Sequence, residues 1–85
     1  MNKKEIVKFL EELAIGVQGK RDNYEKQIKI YKHKLLEGAT TKEESQSNIE
    51  LLRYFQDSLE YIEGQLYEIN YILEVITRDN RKRDF

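Results

Sequence analysis

The chain has 85 residues, with no proline, cysteine or tryptophan, four glycines, and a formal net charge of −1. That length holds one domain at most. Without proline and with few glycines it lacks the turn signals, about every 8–12 residues, that an all-β fold needs. Without cysteine, a disulfide framework, a Cys-ligated zinc and a thiol nucleophile are all excluded.

Charged residues at 36% and hydrophobic ones at 39% fit a soluble, helix-rich, coiled-coil-like chain. The longest apolar runs, Leu13-Ala14-Ile15 and Tyr71-Ile72-Leu73, are far shorter than the roughly 20 residues that span a bilayer. No apolar segment follows Met-Asn-Lys-Lys-Glu at the start, which argues against secretion and for a cytoplasmic protein away from membranes.

The first expected element is a helix over about 2–37. Ile6, Leu10, Leu13 and Val17 step by four, three and four, and the next position falls on Lys20. Tyr24, Ile28, Tyr31 and Leu35 follow, so two consecutive steps of four make a stutter after Lys20. Gly16 and Gly19 adjoin it. Gly19 with Asp22-x-x-Glu25 also reads as a stop and a fresh capping box. A kinked or broken helix near Gly16–Gly19 is therefore the alternative to a continuous one. A lysine in the seam calls for an acidic partner, with Asp57, Glu60 or Glu63 opposite, or for snorkelling to solvent.

A turn is expected over 38–41. Gly38 suits the left-handed position just past a helix end. Thr40-x-x-Glu43 and Thr41-x-x-Glu44 both read as capping boxes for the next helix. A connection this short makes antiparallel neighbours.

The second helix, expected over about 42–80, carries the clearest signal. Leu52, Phe55, Leu59, Ile62, Leu66, Ile69, Leu73 and Ile76 step by three and four without a miss. That is a heptad seam facing a partner helix. Ser45 and Asn48 extend it backward, so the first turns pack loosely. Charge supports the same fold: residues 20–34 carry a net of +4 and residues 37–63 a net of −5. Reversing the chain at Gly38 lays these segments side by side, which sets alignment more than stability. Residues 81–85 are read as a basic tail.

One hairpin leaves apolar surface over. One residue before each seam position of the second helix stand Leu51, Tyr54, Tyr61, Ile72 and Val75, whereas one residue after, only Tyr67 is apolar. A stripe widened to one side belongs in a bundle of more than two helices. The expected architecture is an all-α antiparallel two-helix hairpin that pairs with a second copy into a four-helix bundle. The self-association face comprises Leu51, Tyr54, Tyr61, Ile72, Val75 and Phe9. Tyr67 and Tyr71 lie off both apolar columns; with Ile30 and Leu36 they are the candidates for contact with a different protein, since tyrosine supplies amphipathic contact area.

His33, the single histidine, sits between two lysines near a helix end, where positive charge is favourable. Its spacing to Gly38 does not match a phosphotransfer helix. No acidic residue occupies the seam of the second helix, Ile30 stands where a Glu-x-x-His pair needs its acid, and no phosphate loop is present. The expectation is no catalytic, cofactor or metal site and no small-molecule substrate.

Arg78, Arg81, Lys82 and Arg83 give nucleic acid as the alternative partner, against which stand the net charge of −1 and a pI near 5.9. The expected function is a non-enzymatic protein-interaction module, a regulator, inhibitor or scaffold of another protein, with a composition that suits a bacterial or phage accessory factor. Neither the heptads nor the caps are specific to one family.

Overall fold

The structure, a computed structural model, describes residues 2–38 and 41–83, with side chains described through position 78. It contains two helices, α1 (Lys3–Leu36) and α2 (Lys42–Arg83), and no strand among the described residues. They pack along each other as an antiparallel hairpin measuring 65 × 19 × 15 Å.

Local chemistry sets the helix ends. Asn2 begins α1: its side-chain oxygen accepts from the Glu5 N–H at 2.8 Å, and its amide donates to Glu5 Oε1 at 3.0 Å. The first bond satisfies one of the backbone donors that a helix start leaves free, and the second holds the two side chains together. The helix then runs uninterrupted through Gly16 and Gly19, so no new helix begins at Asp22. Its end is marked by the Glu37 N–H donating to the His33 carbonyl at 3.0 Å, followed by Gly38 at φ 86°. That left-handed conformation is open to glycine and strained for other residues.

Thr41 caps α2, its hydroxyl accepting from the Glu44 N–H at 3.1 Å. Thr40 lies outside the described residues. The backbone of α2 continues through Arg83, so positions 81–83 form its last turn rather than a tail. No glycine or proline follows Gly64 to interrupt it, and Arg and Lys are good helix formers favoured at a C-terminus.

Every seam position expected on α2, with Ser45 and Asn48, is buried or half-buried. On α1 the seam differs from the expected one. Lys3, Val7, Leu10, Ala14, Val17, Arg21, Tyr24, Ile28, Tyr31 and Leu35 are buried or half-buried in steps of four and three throughout, with Ile6, Glu25 and Gln27 half-buried beside them. Leu13 is 43% exposed against 7% for Val17, and Lys20 is exposed. The stutter therefore disappears: Ala14 replaces Leu13, Arg21 replaces Lys20, and Val7 belongs to the seam. Pairing with the regular α2 seam decides this, because a continuous heptad keeps α1 in register along its whole length.

The best-buried cluster is Val17, Ile62 and Ile69, flanked by Leu10, Ala14, Tyr24, Leu66 and Leu73. Toward the turn, the Phe55 ring stacks on Tyr31 at 5.6 Å between centroids and tilts against Tyr24 at 6.1 Å.

Candidate interaction surface

In an antiparallel pair, residues one step before the seam on both helices emerge on the same side. On that side Lys20 lies in a groove with Tyr54, Asp57, Tyr61 and Gln65. A second groove joins Leu13 and Lys20 to Gln65 and Glu68. Helical spacing from Leu13 and Gln65 extends this side to Phe9 on α1 and to Ile72 and Val75 on α2, toward the open end. Toward the turn it reaches Ile30, Leu51 and Tyr54.

Phe9, Leu13, Ile30, Leu51, Tyr54, Tyr61 and Ile72 are all exposed there, and Val75 is half-buried. The stripe is not loose. Tyr54 meets Phe55 edge-on at 5.4 Å, and the Tyr61 hydroxyl accepts from Gln65 Nε2 at 3.2 Å.

The opposite side is charged along its middle. Ile28 and Leu59 form the floor of a groove bordered by Lys32, Gln56, Glu60 and Glu63. Arg21 Nε lies 3.3 Å from Glu25 and 3.8 Å from Glu63, bridging the helices. These are ionic contacts, not aligned hydrogen bonds, and the buried Nε is left without one. Of the acids expected opposite Lys20, Glu63 meets Arg21 instead, whose polar head reaches it from a half-buried seam position, while Asp57 shares the groove of Lys20. Sequence spacing did not single out Arg21; the signal available was its place seven residues from Ala14 and from Ile28.

The other candidates are spread apart. Tyr67 and Tyr71 are 74% and 59% exposed, one turn apart on α2 and off the apolar stripe. Leu36 is 85% exposed at the end of α1. Ile30, by contrast, belongs to the stripe. Ile15 and Ile49, 71% and 42% exposed, stand with Leu36 and Tyr67 on the side opposite the stripe.

His33 is exposed with Nε2 2.7 Å from Glu37 Oε1, and Lys34 stands 4.8 Å above the Tyr31 ring. Among the described residues no group of three acidic or histidine side chains is placed to hold a metal. No helix there is long and apolar enough to cross a membrane. Arg78 pairs with Glu74 one turn earlier, so part of its charge is already answered within the chain. The side chains of Arg81, Lys82 and Arg83 lie outside the described residues.

Comparison with protein-family models, with curated proteins and with solved structures finds no match.

Proposed function

We propose that this chain is a non-enzymatic protein-interaction module. It self-associates through its apolar stripe into a four-helix bundle, and the assembled form presents Tyr67 and Tyr71 to another protein that it regulates, inhibits or scaffolds. The observation that carries the reading is the concentration of exposed apolar side chains on one side, Phe9, Leu13, Ile30, Leu51, Tyr54, Tyr61 and Ile72, against the scattered Ile15, Leu36, Ile49 and Tyr67 on the other. Monomers rarely leave so many apolar side chains wet along one side, and such a surface is the ordinary mark of an interface. Aromatic anchors of this kind carry most of the energy at protein interfaces.

Two paired substitutions separate the two surfaces. Tyr54→Glu with Tyr61→Glu weakens self-association about 100-fold or more, because it replaces two aromatic contacts of the interface with acidic groups beside Asp57. Tyr67→Glu with Tyr71→Glu leaves the mass in solution unchanged and removes the protein that co-purifies with the parent chain. Sedimentation equilibrium reads the first effect and comparative affinity capture the second. A parent chain that stays monomeric, or a Tyr67/Tyr71 variant that retains every binding partner, refutes the corresponding half.

A further inference from the structure

We infer that the occupant of the stripe is a second copy of this chain aligned turn-to-turn, with α1 of each copy lying against α2 of the other. The inference rests on the self-association in the proposed function and adds its direction.

Surface area supports a second copy. The chain exposes 6969 Å², whereas a compact monomer of its mass exposes about 5,400 Å². The difference exceeds the roughly 800 Å² that each partner buries in a standard stable interface. A side 65 Å long and up to 19 Å wide can supply that contact.

The apolar residues alone do not select a direction. Phe9, Leu13 and Ile72 form a patch at the open end, and Ile30, Leu51 and Tyr54 form one at the turn end. Lys20, Gln65 and Glu68 lie between them. A two-fold axis along the helices matches each patch with its own copy; an axis across them matches each with the other patch.

Charge breaks this tie. Lys20 stands at the midpoint of α1 (Lys3–Leu36). With the axis across the helices, α1 stacks on α1 and the two Lys20 side chains face each other at the centre. With the axis along the helices, Lys20 instead faces α2 of the second copy at its own level, where Asp57 and Glu68 flank Gln65 and Tyr61. The segment of net +4 in residues 20–34 then borders two segments of net −5, its own and the second copy's. Around the bundle near the turns the helices alternate in sign, which steers the encounter and suppresses the opposite alignment.

The absence of cysteine from the chain allows a clean test with one spin label at Lys42→Cys near the turn and, separately, at Lys4→Cys near the open end. In the turn-to-turn dimer, helices packed 8–10 Å apart put like labels roughly 20–35 Å from each other at both sites. Distances approaching the 65 Å length of the hairpin at both sites would overturn the alignment while leaving the dimer standing. A monomer by sedimentation at roughly 100 µM would overturn the second copy itself, and with it self-association. Lys20→Glu, exposed on an intact helix, weakens the dimer about tenfold, more so at low salt. An undiminished dimer with native helicity would remove the charge argument.

Discussion

Gly38 and Gly19 are the same residue type under opposite demands. Gly38 holds φ 86°, which a Cβ strains, whereas Gly19 is an exposed helical position where an added Cβ would meet nothing within 4 Å. Gly38→Ala therefore costs about 1 kcal/mol. Gly19→Ala gains up to about 1 kcal/mol from helix propensity. Urea midpoints at one fixed protein concentration should move in opposite directions for the two variants. A loss of stability in Gly19→Ala would show that this segment is not a regular helix.

Between the helices, legibility in the sequence followed the quality of the heptad. The α2 seam is spaced without a fault, so its inward positions could be read off directly, as could the hairpin and its reversal at Gly38. In α1 the run Leu13-Ala14-Ile15 offers an apolar residue on three successive faces, and the largest side chains are not the ones turned inward. Packing selected Ala14, and with it Arg21, because the α2 seam fixes the rotation of its neighbour. The stripe is legible on α2 for the same reason and only partly on α1, where spacing marks Phe9 but points Ile30 to a different contact and Leu13 to the seam.

Arg21 also yields an expectation for the pair of helices. Its stem packs in the seam while its buried Nε has no aligned hydrogen bond. Arg21→Met retains the stem and removes that polar atom, so thermal stability should hold or rise by a few degrees. A marked drop in the melting temperature would assign the bridge to Glu25 and Glu63 a larger share of the pairing energy.

At the scale of the molecule, the radius of gyration is 19.1 Å, against about 12 Å for a compact domain of this length. A two-layer rod cannot enclose a core, and no described side chain is wholly sealed from solvent. A second copy on the stripe would thicken the rod where it is most apolar. Stability should then follow mass action: the melting temperature rises with protein concentration in the parent chain and does not in Tyr54→Glu with Tyr61→Glu. Calorimetry over a hundredfold dilution checks this.

The position of the tight cluster also bears on how the chain folds. Val17 meets Ile62 and Ile69 across 45 and 52 residues of chain, while the seam beside the turn holds the polar Ser45 and Asn48. A hairpin that zipped outward from its turn would gain least in its first steps. Here the search must close a long loop before its best contacts form, and loop-closure entropy grows only slowly with length. The expectation is that the helices meet first near their middles, which higher φ-values at Val17 and Ile62 than at Asn48 would show.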